Sequence, residues 1–326
     1  MEDKHRIGWI DTLRGIGIFY VTFGHLYPWF LIEKHIYSFH MFLFFFLSGY
    51  LYKQPKSIKP FICKKAKNLL IPFAFWNVLS TTIEIIINGD FASNISKMFI
   101  VEGELCWNTP IWFLIVLFFV EIIFATLDNI RIKIRNILFV LLVAAISLVL
   151  AGFIGSYCMI FKITLIPIGL LYYCVGYVVR NVPIYITNSK KVVILFFAVI
   201  INIIFGVILN PRISVAHFYY GNLIYCLFGG VSGIIIYLIV SKYLCAKFHI
   251  INKFISRIGA HSMIIMCSQY YFFRIYNIIA RQDIWHQRNT LKALILSVIT
   301  IVFIEFFVFL IKKLNNTYIN RLIGIR

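Results

Sequence analysis

The chain has 326 residues, of which 61% are apolar, and its 31 Lys and Arg residues against 12 Asp and Glu residues give a net charge of +19. A typical soluble domain is about 45–50% apolar, so this composition excludes a single soluble core. The basic residues lie between apolar runs, where they contact anionic lipid head groups, and they form no soluble basic domain that could bind nucleic acid. The sequence therefore predicts a polytopic membrane protein without a nucleic-acid partner.

Ten apolar segments are long enough to cross a membrane. Turn-forming residues such as Pro28, Pro110 and Pro211 separate these segments, and the connecting loops are short. The predicted spans are residues 8–29, 36–52, 68–88, 110–127, 136–153, 159–179, 192–209, 222–241, 256–279 and 292–311. We therefore expect an all-α integral membrane fold, a bundle of about ten transmembrane helices that forms one domain over residues 1–326.

The Lys and Arg residues are distributed unequally between the two sides of this bundle. The N-terminus, the loops after even-numbered spans and the C-terminus hold 22 of them, whereas the opposite side and the ninth span hold eight. Because positively charged loops stay in the cytoplasm, we expect both termini to be cytoplasmic and the protein to be a multi-pass protein of the inner (plasma) membrane. Asp11 and Arg14 interrupt the first apolar run, which lacks a small-residue cleavage site, so this run is expected to be a retained span and not a signal peptide.

Three ionisable residues, Asp11, Arg14 and His25, lie in the first predicted span. A charged group at the centre of a membrane helix costs about 2.5–3.5 kcal/mol on insertion scales, so such residues pair with one another or line a wet cavity. On an ideal helix Arg14 and His25 share a face and lie about 16.5 Å apart along the axis. We therefore expect them at two depths of one functional cavity. A structural ion pair together with a hydrogen-bonded His is the alternative interpretation.

The second span carries His40 towards its outer end and Ser48 towards its inner end. The short connection near residues 30–35 predicts that the first two spans pack side by side as antiparallel neighbours. Residues at equal distance from the turn then share a depth, which pairs His25 with His40 and Arg14 with Ser48. For Ser48, a hydrogen bond to its own helix backbone is the competing interpretation.

The residues of these two spans resemble a known family. The series D-x-x-R-x(10)-H, formed by Asp11, Arg14 and His25, and the segment FHMFLFFFLSGYLY resemble the acyltransferase 3 family and, within it, the fucose 4-O-acetylase-like members. Further matching pieces are KKAKNLLIPFAFW, PIWFLIVLFF, YYCVGYVVR and IGAHSMIIM, so the resemblance covers nearly the whole chain. Phe42 departs from the pattern, because it stands where a Pro is expected.

The resemblance implies an enzyme that moves an acyl group, commonly acetyl from acetyl-CoA, to a hydroxyl of a cell-surface polysaccharide or its lipid-linked precursor. Arg14 and His25 match the family's essential pair, and Asp11 matches the acid that precedes the Arg. Acyl transfer from a thioester needs a base and no metal, and His is the usual base near neutral pH, so we assign catalysis to His25 and His40 and expect no metal site. His25 either deprotonates the sugar hydroxyl or carries the acetyl group transiently.

The other candidate residues are assigned to binding. Arg14 offers the phosphates of CoA a fixed fork of donors, and the lysine-rich loop of residues 53–67 adds long-range attraction for the same anion. That loop is equally well explained as a topogenic and lipid-binding segment. The predicted acetyl-CoA ligands are Arg14, Asp11, Ser48, Lys64 and Lys65, and the predicted acceptor-binding residues are Trp112 and Glu121.

Other interpretations remain open at this point. A multi-span transporter of a glycolipid or small solute would use Arg14 and His25 as substrate contacts, and a third possibility is a non-catalytic subunit of a glycan-assembly complex. For the intramembrane acids Glu84, Glu121 and Glu305, pairing with a basic residue on another helix is the structural alternative to a functional role.

Overall fold

The structure is a computed structural model that describes residues 8–99, 107–131, 137–154, 160–182, 187–281, 284 and 288–325. Within these residues the chain is helical, and an isolated bridge between Ser214 and Tyr219 is the only β-type pairing. Two π-helical segments, Ala66–Leu70 and Asn202–Ile208, continue neighbouring α-helices. The α-helices of the described residues are α1 (Gly8–Gly24), α2 (Phe30–Tyr50), α3 (Ile58–Lys65), α4 (Ile71–Asn88), α5 (Phe91–Phe99), α6 (Trp112–Arg131), α7 (Ile137–Ile154), α8 (Ile166–Asn181), α9 (Asn188–Ile201), α10 (Leu223–Lys247), α11 (His249–Ala260), α12 (Ser262–Ala280), α13 (Thr290–Lys313) and α14 (Thr317–Ile323).

Among the described residues, eight helical segments are long and apolar enough to cross a membrane, which confirms the all-α membrane fold. These segments are Phe30–Tyr50, Ile58–Asn88, Thr109–Asn129, Ile137–Ile154, Lys162–Asn181, Ser189–Ile208, Leu223–Lys247 and Thr290–Lys313. The first and ninth predicted spans correspond to α1, which has 17 residues, and to α12, which carries the polar residues Gln269 and Arg274. Residues 136 and 159, where two of the predicted spans begin, lie outside the described part of the chain.

The connection between the first two spans comes earlier in the chain than predicted, because α1 already ends at Gly24 and α2 begins at Phe30. The chain turns after Gly24, and Tyr27 adopts a left-handed φ of 55° directly before Pro28. Pro28 lacks the backbone N–H that a continuing helix would need, so the residues of the turn themselves prevent the helix from continuing. The five-residue connection makes α1 and α2 antiparallel neighbours, as the sequence predicted.

The predicted ninth span, residues 256–279, is divided in the structure at His261, which separates α11 from α12. His261 Nδ1 lies 2.7 Å from Glu305 Oε1, and His261 Nε2 lies 2.8 Å from Lys312 Nζ, both on α13. These contacts fix the break between the two helices against α13. The residues before His261 therefore form a separate short helix and not the start of the span.

The helices differ in how far they are buried. Residues of α2, α6 and α8 are mostly buried and form the centre of the bundle, whereas α7, α9 and α13 present large apolar side chains outwards. Phe153, Phe196 and Phe306 on these outer helices are more than half exposed. Such exposure of apolar side chains is what lipid-facing helices require, because lipid chains and not water surround them.

Close approach of two backbones joins α1 to α11. A Cβ on Gly15 of α1 would overlap the Ile255 carbonyl oxygen of α11, and a Cβ on Gly259 of α11 would overlap the Asp11 carbonyl oxygen of α1. Small residues at such crossings let membrane helices pack backbone to backbone. The same reciprocal arrangement of glycines joins α2 to α8. Both helices that carry the candidate residues are thus held at a fixed distance from a second helix.

The ends of the helices form two opposite faces. Glu33 near the start of α2 meets Arg212 from the loop before α10 and Arg288 from the loop before α13. At the other end of α2, Arg180 of α8 donates to the Tyr50 carbonyl oxygen. We call the face with Glu33 the outer face and the opposite one the inner face, following the predicted orientation.

Gly259→Ala is expected to separate α11 from α1, because the added Cβ would overlap a backbone oxygen that cannot move without its helix. Overpacking of this kind costs about 1–3 kcal/mol, so the thermal midpoint of the detergent-solubilised protein should fall by several degrees. Gly8→Ala is the control, since its Cβ would meet only Cys245 Sγ, at the ordinary distance of 3.4 Å. Equal midpoints for the two variants would contradict this packing.

Candidate active site

A cavity of about 710 Å³ lies between α1, α2, α3, α6 and α12 at the inner face. We call it the inner cavity. It brings together five of the nine residues that the sequence singled out for catalysis or binding, namely Arg14, Ser48, Lys64, Lys65 and Glu121. Lys53 and Lys56 also line it, so the inner cavity is predominantly basic.

Arg14 faces the inner cavity and not the surrounding lipid. Its guanidinium Nη1 lies 3.1 Å from Asp11 Oδ1, and its side chain is 33% exposed, whereas that of Asp11 is nearly buried. Asp11 lines a second cavity, of about 450 Å³, on the side of α1 that faces α11 and α13. Asp11 therefore holds the Arg14 side chain in place and does not itself face the inner cavity.

Lys65 and Glu121 form an ion pair across the inner cavity, with Lys65 Nζ 2.6 Å from Glu121 Oε1. The ammonium group also lies 5.3 Å from the centre of the Phe61 ring. For Glu121 the structure therefore shows the structural alternative to a functional role, namely pairing with a basic residue on another helix. The other two acids are paired as well, Glu84 with Arg274 and Glu305 with both Arg257 and His261.

Two further predicted residues serve the packing of the bundle. Ser48 lines the inner cavity, but its hydroxyl donates to the Phe44 carbonyl oxygen at 2.9 Å, which is the bond to its own helix that the sequence allowed. Trp112 is 2% exposed, packs edge-on against Phe113 and is not among the residues that line the inner cavity. The acceptor-binding role that the sequence assigned to Trp112 gains no support from this position.

A layer of imidazole and phenol rings lies nearer the outer face. The ring centres of His25 and His40 are 6.5 Å apart, and the two rings are nearly perpendicular. His25 Nδ1 lies 3.2 Å from the hydroxyl oxygens of both Tyr37 and Tyr270. We call these four residues the imidazole layer. The predicted pairing of His25 with His40 in depth is thus what the structure shows.

Hydrogen bonds constrain the protonation of the two rings. His40 Nδ1 lies 2.8 Å from the Ile36 carbonyl oxygen, and a carbonyl only accepts, so Nδ1 carries the proton of the neutral ring and Nε2 carries the lone pair. For His25, the tautomer that donates its Nδ1 proton to Tyr37 or Tyr270 also leaves the lone pair on Nε2. In that state either ring has the lone pair that a general base needs.

A buried carboxylate holds the outer face together beside the imidazole layer. Glu33 is fully buried, Arg212 Nε lies 2.8 Å from its Oε1, and Arg288 pairs with its Oε2. The Arg212 guanidinium also stacks 4.2 Å above the Tyr37 ring centre. Burial lowers the pKa of Arg212, but the nearby Tyr37 and Glu33 outweigh this effect, so the pKa is raised and the group stays charged.

The sequence did not predict most of the contacts that surround Glu33 and the imidazole layer. From the sequence, Arg212 and Arg288 were only charges of the connecting loops, and Tyr37 and Tyr270 had no predicted role. One signal was available, because Glu33 is an acid beside the predicted turn between His25 and His40, and an acid at that depth requires a cation. Which cation it would find could not be read from the sequence.

The inner cavity and the imidazole layer are separate, whereas the sequence predicted one continuous cavity. The inner cavity reaches Ile18 on α1 and Phe44 on α2, and neither His25 nor His40 lines it. Seven residues separate Ile18 from His25, which corresponds to about 10 Å of helix rise. The cations of the inner cavity, which can bind an anion, and the rings of the imidazole layer, which can transfer a proton, thus lie at two different depths of the bundle.

Comparison with known proteins adds one finding. The sequence profile of the acyltransferase 3 family, described as an acyltransferase domain, matches residues 7–311. The matched region includes every residue of the imidazole layer and every residue that lines the inner cavity except Gly324. The comparisons with curated proteins and with solved structures found no match.

Glu33→Gln is expected to destabilise the protein, because it leaves two guanidinium groups against a neutral side chain at a buried position. Removal of one partner from a buried pair costs about 3–5 kcal/mol. Glu84→Gln is the matched control, since Glu84 is less buried and, among the described residues, forms an ion pair with Arg274 and accepts a hydrogen bond from Asn88. A thermal midpoint that falls no further for Glu33→Gln than for Glu84→Gln would show that the ion pairs of Glu33 do not stabilise the outer face.

Proposed function

The chain belongs to the acyltransferase 3 family, and we propose that it acts as an O-acetyltransferase, which moves acetyl from acetyl-CoA to a hydroxyl of a cell-surface polysaccharide or its lipid-linked precursor. The observation that carries the proposal is the position of Arg14 in a basic cavity beneath the paired imidazoles of His25 and His40. An anionic cytoplasmic donor and a neutral surface sugar would approach such a protein from opposite faces. The two depths of the site match this requirement.

The inner cavity supports a role in holding the donor. Coenzyme A carries several phosphate charges, and Arg14, Lys53, Lys56 and Lys64 line the cavity as cations. Arg14 would bind a phosphate through two parallel N–H donors, with Asp11 fixing the plane of the guanidinium. Lys65 contributes less, because Glu121 already neutralises it. In this proposal Glu121, which the sequence assigned to the acceptor, belongs to the donor site.

The imidazole layer supplies the proton transfer of the reaction. The lone pair on His25 Nε2 accepts the proton of the acceptor hydroxyl as its oxygen attacks the thioester carbonyl carbon. The C–S bond then breaks, and His25 returns the proton to the CoA thiolate, so acetyl-CoA and the alcohol become an acetyl ester and free CoA. Tyr37 and Tyr270 orient the His25 ring through its Nδ1, and His40 lies beside it as a second base.

The reaction can be tested directly with purified protein in proteoliposomes and acetyl-CoA that is radiolabelled in the acetyl group. An acyltransferase releases label as acetate or transfers it to a supplied glycan acceptor. A transporter would leave the thioester intact, and that result would overturn the proposal. Label that stays on the denatured wild-type protein but not on denatured His25→Ala would show an acetyl-enzyme intermediate that depends on His25 in place of direct transfer.

His25→Ala is expected to lower turnover by about 10²–10⁴-fold, because it removes the proposed base. Membrane insertion should be unchanged, whereas loss of the contacts with Tyr37 and Tyr270 should lower the thermal midpoint modestly. His249→Ala is the control, since His249 is an exposed imidazole at the start of α11, outside both the inner cavity and the imidazole layer. Retention of more than about a tenth of the wild-type rate would exclude His25 as the base.

Arg14→Lys is expected to weaken acetyl-CoA binding about tenfold although it conserves the charge, because an ammonium group cannot donate two parallel hydrogen bonds to one phosphate. Isothermal titration calorimetry gives the dissociation constant. Arg257→Lys is the matched control, since Arg257 lines the neighbouring cavity beside Asp11 and not the inner one. An unchanged dissociation constant for Arg14→Lys would reject the phosphate-binding role.

A further inference from the structure

Gln269 on α12 is a fully buried amide without a hydrogen-bond partner. Neither its Nε2 nor its Oε1 is hydrogen-bonded to any residue that the structure describes, and the side chain has no exposed surface. A buried polar group normally has at least one partner, and an exception needs a physical explanation. Gln269 received no role from the sequence alone.

The bundle satisfies comparable amides elsewhere. Asn202, which is also buried, donates to the Ser38 hydroxyl and the Gly229 carbonyl oxygen, and its Oδ1 lies 2.6 Å from His35 Nδ1. Asn210 is buried too, and its Nδ2 donates to the Tyr220 carbonyl oxygen while its Oδ1 accepts from the Asn222 N–H. Among the buried amides that the structure describes, Gln269 alone lacks a hydrogen-bond partner at both polar atoms of its side chain.

Gln269 lies between the inner cavity and the imidazole layer. Residues three or four positions apart share a helix face, so Gln269 faces the same way as Met266 and Phe273. Met266 lines the inner cavity, and Phe273 packs in the apolar cluster around Phe23 at the outer end of α1. The residue next to it, Tyr270, contacts His25. On α12, Gln269 therefore lies between Met266, which lines the inner cavity, and Tyr270, which contacts His25.

A second buried amide atom near Gln269 also lacks a partner. Asn108 donates through Nδ2 to the Cys267 carbonyl oxygen at 2.9 Å, two residues before Gln269 on α12. Its Oδ1 is buried and has no hydrogen-bond partner among the described residues. Among the described residues, Gln269 and the neighbouring Asn108 thus offer one unused amide donor group and two unused amide oxygens.

We propose that Gln269 is a substrate-contacting residue whose Nε2 donates a hydrogen bond to the carbonyl oxygen of the acyl thioester; this inference rests on the proposed acyl transfer. When the acceptor oxygen bonds to the carbonyl carbon, the C=O electron pair moves to that oxygen, and the Nε2–H bond stabilises the negative charge. The pair returns as the C–S bond breaks and CoA leaves as the thiol. Gln269 Oε1 accepts from an amide N–H of the pantetheine arm, so the bound donor satisfies both ends of the side chain.

Gln269→Leu separates this role from a structural one. Loss of one donor to the developing oxyanion is expected to lower kcat by about 10²–10³-fold while the KM for acetyl-CoA changes little. The thermal midpoint of the unliganded protein should stay the same or rise, because an apolar side chain replaces an unpaired amide. Gln269→Met, which keeps the length of the side chain, should behave in the same way.

The control is Asn202→Leu, which removes an amide that has protein partners and should lower the thermal midpoint. Wild-type protein that transfers acetyl while both Gln269 variants keep its kcat would overturn the inference and leave the proposed function intact. A lowered midpoint in both Gln269 variants would overturn it as well, since it would show a structural role. Wild-type protein that never cleaves acetyl-CoA would instead overturn the proposed function and this inference together.

Discussion

A charge inside an apolar helical bundle must have a counter-charge, and this constraint organises the protein. Desolvation of a single unpaired ion costs several kcal/mol, which is a large part of the stability of any fold. Glu33 is held by Arg212 and Arg288, Glu121 by Lys65, Glu84 by Arg274 and Glu305 by Arg257. Each pair joins segments that are far apart in the chain. The ion pairs therefore act as fixed points around which the apolar helices pack.

The same constraint separates the site into two depths. Cations collect at the inner cavity, where water and an anionic ligand can reach them, whereas neutral rings form the imidazole layer deeper in the bundle. A low-dielectric environment favours a neutral imidazole, which is the form a general base needs. Between the two depths lies Gln269, whose side-chain amide has no hydrogen-bond partner among the described residues.

Much of the fold and part of the site follow from local sequence patterns. Apolar length predicted ten spans, eight of which are long apolar helices among the described residues, and the spacing of Arg14 and His25 predicted two different depths, with Arg14 on α1 and His25 directly after its end. The short turn at Pro28 makes α2 an antiparallel neighbour and so brings His40 to His25. In contrast, the break at His261 was missed, because it depends on Glu305 and Lys312 of α13. A pattern within one segment carries no information about such a partner.

The sequence by itself determined the membrane class, the positions of most spans, the unequal distribution of charge and the residues that share a face of α1. These properties depend on composition and helical period, which act within one segment. Only the tertiary structure decided that Glu33 binds Arg212 and Arg288, that Asp11 turns away from the inner cavity, and that this cavity ends below His25. It also decided which buried amides find partners. Such outcomes depend on how helices from distant parts of the chain pack together, and packing is settled by shape and charge pairing across the whole bundle.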